Sequence, residues 1–314
     1  FSTSLTYEVQ QKAMQQIPGF ENAKMYRPGY AVEYDYFPPT QLRLTLETKI
    51  IENLYFAGQI NGTTGYEEAA CQGLIAGMNA HLKINEKDEF VPSRADAYIG
   101  VLIDDLVNKG TEEPYRMFTS RAEYRLLLRQ DNADLRLTTV GHQLGLADDR
   151  RMWLVEKKQQ DTKILLEVLD KIKYTPDDAT NERLESFETA TIREKVTATQ
   201  LLKRPNIEIH QLEKLSEDAQ QQLMAFDDEA RIQATIHVKY DTYIEKERQV
   251  AQKMKELEHF KIKADMDYFK LNALSMEARE KLSKNKPATI GQATRISGVS
   301  PADISILMIH LGIR

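Results

Sequence analysis

One cysteine and one tryptophan stand in 314 residues. The lone thiol, Cys71, excludes an intramolecular disulfide and any zinc site built on cysteines. It also points to a reducing, cytoplasmic compartment. Histidine is scarce too. His81, His142, His210, His237, His259 and His310 are scattered, with no two at i, i+4, and no metal site is expected. No run approaches the roughly 18 apolar residues that a membrane-spanning helix requires. The opening residues, Phe1 to Gln10, have neither the basic start nor the apolar stretch of a signal peptide. An initiator methionine is also missing, as in a segment cut from a longer chain. A strong basic excess is lacking as well. The formal charge is -6, and the stretch from Lys239 to Arg314 carries fourteen Lys plus Arg against ten Asp plus Glu. That tilt is far from the charge of a protein living on phosphate backbones.

What is present reads as globular and helical. The chain is 41% apolar and 29% charged, with a mean hydropathy of -0.51, the composition of a soluble protein with many solvated helices. Its length suffices for two domains, each with its own core.

The first ninety or so residues read as strands and turns. Tyr30 to Tyr36 alternates and ends at Pro38-Pro39, where a ladder donor is lost. Leu42, Leu44 and Leu46 alternate with Arg43, Thr45 and Glu47. Leu54-Tyr55-Phe56-Ala57 is a short apolar strand closed by Gly58, and the small-residue run from Ala69 to Ala80 reads as a helix. Beyond Asp149 the spacing is helical, with several short helices over 150–230 broken by Pro176 and Pro205. A longer helix is expected from Ile232 to Phe260, with a gap in its apolar stripe at Glu247. The end is punctuated as a helix–turn–helix. Pro287 precedes a helix over about 289–297, Gly298 suits its C-cap, and Ser300-Pro301 is an N-cap followed by proline at the first helical position.

The segment from Leu54 to Gly73 has the shape a cofactor needs. A buried strand ends in Gly58, which lets a ligand approach the backbone. Gln59 can hydrogen-bond ribityl or phosphate oxygens, and a helix opening near Glu67 to Ala70 turns its amide ends and positive dipole toward the ligand. On spacing alone, a tight strand-to-helix turn of any α/β protein remains an equal reading.

The string Gly58-Gln59-Ile60-Asn61-Gly62-Thr63-Thr64-Gly65-Tyr66-Glu67-Glu68-Ala69 strongly resembles the C-terminal FAD motif of the GidA/MnmG family. Arg27 to Ala31, Glu33-Tyr34-Asp35, Glu113 to Arg125, Gln130 to Thr138, Val238-Lys239-Tyr240, Lys286-Pro287-Ala288 and Ile290 to Ala293 resemble it too. The likeness runs from end to end and is weakest over about 150–230.

The resemblance implies a mixed fold, the C-terminal remnant of an α/β, Rossmann-like FAD-binding domain followed by a mainly α-helical C-terminal domain. The implied divisions are 1–95, the end of the FAD-binding domain; 96–148, a connection with an arginine-rich helix; 149–235, a helical subdomain; and 236–314, a terminal helical bundle. The function implied is that of the enzyme adding a carboxymethylaminomethyl or aminomethyl group to C5 of the tRNA wobble uridine. Such enzymes use FAD, NADH and methylenetetrahydrofolate, act as homodimers, and receive the GTPase MnmE on their C-terminal helical domain. Gly58, Gln59, Asn61, Gly62, Thr63, Gly65 and Glu67 are then the cofactor-binding candidates. Departures from the family are clear. No G-x-G-x-x-G follows a strand, so the ADP half of FAD lacks its phosphate cradle. Cys71 matches neither catalytic cysteine of the family and reads as a small buried thiol. The chain by itself is therefore expected to be inactive, with no catalytic residue of its own.

Arg121, Arg125 and Arg129 fall at i, i+4 and i+8 on a helix expected to start at the Ser120–Glu123 capping box, with Arg116 and Arg136 flanking. They read either as tRNA-phosphate contacts or as a salt-bridge face with Glu123, Asp131 and Asp134. In the terminal bundle the candidate partner contacts are Lys281, Lys284, Lys286 and Arg295. The helix from Ser300 to Gly312 holds no Lys or Arg, which argues against DNA. The competing reading is a non-enzymatic helical module that binds RNA or protein.

Overall fold

The computed structural model describes residues 3–30 and 33–313. Thirteen α-helices lie among the described residues: α1 (Tyr7–Gln15), α2 (Tyr66–Ile84), α3 (Tyr98–Lys109), α4 (Ala133–Gln143), α5 (Asp149–Lys171), α6 (Asp178–Ser186), α7 (Ala198–Leu202), α8 (Ile209–Glu213), α9 (Glu217–Leu223), α10 (Asp228–His259), α11 (Met276–Asn285), α12 (Ile290–Thr294) and α13 (Pro301–His310). Two-residue strands β1 (Lys173–Tyr174) and β2 (Val196–Thr197) pair antiparallel. The architecture is mainly helical. No described helix is long and apolar enough to cross a membrane.

The starts of the later helices follow their sequence signals. Side chains of Asp148, Asp177, Ser216, Ser275, Thr289 and Ser300 each accept an amide hydrogen from the first turn they precede. Each such cap satisfies a donor that the helix itself cannot, and stabilises by about 1 kcal/mol. Ser300 and Asp303 cap one another reciprocally, with Pro301 at the first helical position.

The apolar residues gather in three main groups. One joins Leu42, Leu46, Ile75, Leu102, Ile103 and Leu106 around α2 and α3. A second fills the space among α5 to α9 and the start of α10, centred on Leu165, Leu169, Leu201, Leu202 and Leu212. The third binds α11, α12 and α13 through Leu282, Ile290, Ala293 and Leu307. Helix α10 runs unbroken past residue 236, from the second group to the third.

Three expectations are corrected. No multi-residue strand forms among the described residues of 1–95. Leu42–Thr48 and Glu47–Tyr55 are single bridges, because Leu46 turns to φ 68° and the chain doubles back after one pairing. Of the expected strand over 30–36, Ala31 and Val32 lie outside the described residues, and Glu33 to Tyr36 is not strand. The helix expected from Ser120 is also absent. A short turn, Thr119–Arg121, gives way to one further turn between Tyr124 and Leu128. It stops there because its backbone is claimed elsewhere. Glu247 Oε2 accepts the Leu127 amide at 2.9 Å, and Asn132 Nδ2 donates to the Leu127 carbonyl at 3.0 Å. Finally, the stretch expected to hold only short helices begins with the 23-residue α5.

Candidate functional site: the glycine loop and its surroundings

Three glycines shape the loop between Phe56 and α2. Gly58, Gly62 and Gly65 take φ values of +87°, +76° and +122°, which side chains disfavour. A Cβ on Gly62 would stand 2.7 Å from Thr111 Oγ1 and 2.8 Å from the Tyr36 ring. One on Gly65 would be driven into the Glu68 carboxylate.

Gln72, wholly buried on the first turns of α2, fastens this loop from beneath. Its Oε1 accepts from the Gly58 amide at 3.2 Å and from Asn61 Nδ2 at 2.9 Å. Its Nε2 donates to Thr63 Oγ1 at 2.9 Å and to the Glu68 carbonyl at 3.0 Å. Asn61 also donates to the Phe56 carbonyl, and Thr63 Oγ1 to the Gly58 carbonyl, each at 3.1 Å. Of the seven cofactor candidates, Asn61 and Thr63 thus turn their side chains inward and hold the loop's shape. Gln59 and Glu67 are exposed.

The loop borders a cavity of about 260 Å³ lined by Tyr34, Tyr36, Gln59, Gly62, Thr63 and Thr111, among others. That volume is under the roughly 300–1,000 Å³ of a complete small-molecule site, so it admits part of a dinucleotide. Gln59 stands at the rim and offers a donor to such a part. Helix α2 opens with no side-chain cap on its first amides, but none of its residues lines this cavity. Asp35, Glu112 and Glu113 do, and they oppose a fully charged phosphate there and suit a neutral group.

The segment carrying Arg116 is fixed to this loop. The Tyr115 amide donates to the Gly62 carbonyl and its carbonyl accepts from the Thr64 amide, both at 2.8 Å. Glu68, 5% exposed, accepts from the Met117 amide at 2.9 Å. Arg121 donates to the Arg116 carbonyl at 2.9 Å, and its guanidinium lies 4.2 Å from the centre of the Tyr115 ring, a cation–π distance. Arg116, Arg121 and Arg125 are exposed and form no ion pair among the described residues. Arg129 is engaged internally, with Asp131 at 3.1 Å and Gln233 at 3.3 Å. The expected arginine face therefore divides. Arg116 and Arg121 border the loop, while Arg129 braces α10. Cys71 is half-buried, and burial pushes its thiol up to about 11, which removes the thiolate a nucleophile requires.

Of the four residues proposed from sequence as partner contacts, Lys281, Lys284 and Lys286 are exposed. Arg295 is placed differently. It forms ion pairs with Asp104 and with Glu258, each at 2.6 Å. Asp104 and Asp105 also meet Arg94 at 3.0 and 2.8 Å, and Arg94 reaches Glu123 at 2.8 Å. Burial pushes the Asp104 carboxyl up, against the pull of Arg295 and Arg94. This cluster walls a cavity of about 820 Å³ between α3, α10 and α12. Sequence reasoning missed it. Its signal was two adjacent aspartates in the apolar run from Ile99 to Val107, since charges inside a buried helix require partners.

Comparison with known proteins agrees along the whole chain. The family model "Glucose inhibited division protein A" matches residues 1–88. Those of the tRNA modifying enzyme MnmG/GidA C-terminal helical domain and C-terminal helical bundle match 149–248 and 250–314. The tRNA uridine 5-carboxymethylaminomethyl modification enzyme MnmG of Cytophaga hutchinsonii is 59% identical over 99% of the chain and 50% of its own length. That of Christiangramia forsetii is 53% identical over the same shares. The structure of Aquifex aeolicus GidA in its form II crystal superposes with a TM-score of 0.73 at 42% identity, over 99% of this chain and 49% of that one. The chain spans about half the length of the curated relatives it matches. With three models of one family tiling most of it and relatives alike from end to end, the chain belongs to the GidA/MnmG family.

Proposed function

We propose that this chain is the FAD- and partner-binding portion of an enzyme that adds a carboxymethylaminomethyl or aminomethyl group to C5 of the tRNA wobble uridine. The observation that carries this reading is 59% identity along 99% of the chain to a tRNA uridine modification enzyme. The fixed glycine loop supports it. In this reading residues 1–95 complete a Rossmann-like FAD-binding domain whose phosphate cradle lies elsewhere. FAD supplies the redox chemistry of the reaction, with NADH and methylenetetrahydrofolate as co-substrates. Gln59 holds a neutral portion of the cofactor. Gly58, Gly62 and Gly65 keep side chains out of its path, and Asn61, Thr63 and Gln72 keep the loop in shape. Arg116, Arg121 and Arg125 take tRNA phosphates, while Lys281, Lys284 and Lys286 face the GTPase partner MnmE. The working enzyme is a cytoplasmic homodimer, and the chain alone is inactive.

A chimera tests this reading. The half of the Cytophaga hutchinsonii relative that aligns with this chain is replaced by it, in a bacterium lacking its own enzyme. Restored uridine modification is expected from the chimera and none from the chain alone. A soluble, folded chimera that leaves the uridine unmodified, or a chain that modifies it alone, overturns the proposal.

A further inference from the structure

The cavity of about 820 Å³ between α3, α10 and α12 has no part in the proposed reaction. Unlike the one beside the glycine loop, it falls within the roughly 300–1,000 Å³ of a complete small-molecule site. Leu44, Ile103, Tyr124, Leu126, Val250 and Met254 give it mainly apolar walls. Gly291 lets α12 close on its edge, because a Cβ there would strike the Glu258 carboxylate. The acids around it already have donors. Asp104 and Glu258 meet Arg295, Asp104 and Glu123 meet Arg94, and Glu247 accepts the Leu127 amide at 2.9 Å. Three other polar groups on the wall are left over. Lys246 and Lys255 are exposed on α10 and form no ion pair among the described residues. Gln292 is 7% exposed, and its Oε1 accepts the Ala288 amide at 2.6 Å. Its Nε2 has no acceptor among the described residues, which is costly for a buried donor and marks a place for a ligand atom.

We propose that this cavity binds a small aromatic anion, with its ring against the apolar walls, an acceptor atom on Gln292 Nε2 and one carboxylate or phosphate beside Lys246 and Lys255. Each part of that description answers a feature of the wall. An aliphatic chain would leave the Gln292 amide unpaired, and a wholly polar ion would forfeit the apolar surface. A polyphosphate carries too much charge, because two lysines stand there against the Glu247 carboxylate and the arginines are already paired. The inference does not depend on the flavin reading of the glycine loop. Its consequence is mechanical. An occupant touches α3, which belongs to the first apolar group, and α12, which belongs to the third. Binding therefore stabilises the attachment of the terminal bundle by mass action, in parallel with the contact of Arg295 and Asp104.

The test is calorimetric titration of this chain, and of the chimera described above kept in excess FAD, with 2-naphthoate and with adenosine monophosphate. The expected result is a single site in both proteins for at least one of the two probes. Naphthoate alone would identify the ligand as an aromatic carboxylate, and the monophosphate alone as a nucleotide; either sustains the inference. Lys246→Glu together with Lys255→Glu should weaken binding by about tenfold. Val250→Trp should abolish it, since the new ring fills the cavity from a position 54% exposed, where the fold tolerates the change. Binding of neither probe, or binding indifferent to Val250→Trp in a protein with unchanged circular dichroism, would overturn the inference. Binding that is lost on filling but indifferent to the lysine reversals would overturn its anionic character. A probe that binds the chain and not the chimera would show the cavity filled by the rest of the longer protein, and would overturn it too.

Discussion

Arg295 Nη2 lies 2.6 Å from Asp104 Oδ1, across 191 residues of sequence. The contact fastens the terminal bundle to α3, and Glu258 on α10 closes it from the other side. Arg295→Met leaves two carboxylates short of a partner, and breaking a buried pair in this way costs about 3–5 kcal/mol. The unfolding midpoint in urea should fall accordingly. Asp104→Asn added to Arg295→Met should recover part of the loss, and a strictly additive double variant would refute coupling.

Gln72→Ala removes four hydrogen bonds at once, leaves the Gly58 amide without its acceptor and leaves Asn61 Nδ2 with the Phe56 carbonyl alone. Each buried group left unpaired costs about 1–3 kcal/mol. The expected outcome is a lower melting temperature with faster hydrogen exchange at the Gly58 amide. Unchanged exchange there would show that the loop holds its shape without this side chain.

Arg125 and Arg129 should separate cleanly. Arg125 is exposed without an ion pair, so Arg125→Glu should leave stability within about 0.5 kcal/mol while weakening tRNA binding. If it contacts a phosphate, the slope of affinity against salt should drop by about 1. Arg129→Glu should instead lower stability, since it severs the contacts to Asp131 and Gln233. The reverse pattern in melting and filter-binding measurements would contradict the assignment.

Cys71 should resist alkylation at neutral pH, because its thiol is pushed up to about 11 from an ordinary value of 9.0. The raised value favours the folded state while the thiol stays protonated. That contribution is complete below about pH 9 and is lost as pH rises through about 11. Iodoacetamide kinetics across this range check the point. Rapid labelling of the folded chain at neutral pH would contradict it.

Legibility in the sequence followed the physics of each signal. Helix α10 was readable over 232–260 because its apolar residues recur by threes and fours, and it forms over Asp228–His259. The Ser300-Pro301 start was readable because capping is a local interaction. Helix α3 was not, since every residue from Gly100 to Asn108 is buried and a helix buried all round shows no period. The alternation of Leu42, Leu44 and Leu46 misled because a folded-back loop can bury Leu42 and Leu46 as well as a strand can. The spacing of Arg121, Arg125 and Arg129 misled for another reason, that Glu247 lies far away in sequence and takes the Leu127 amide. In the loop the glycines and Gln59 were evident, whereas the inward turn of Asn61 and Thr63 depends on Gln72 below them.

The uninterrupted course of α10 sets the azimuth of the terminal bundle. One family model ends at residue 248 and the next begins at 250, yet the 32-residue helix passes between them without a break. Two modules therefore share one rigid axle, about 48 Å long at 1.5 Å per residue, and their relative orientation is quantised by its pitch. A single residue inserted between Val250 and Leu257 would turn the bundle by about 100° and swing Arg295 out of register with Asp104. In such an arrangement the length of the helix is as strictly specified as any side chain on it.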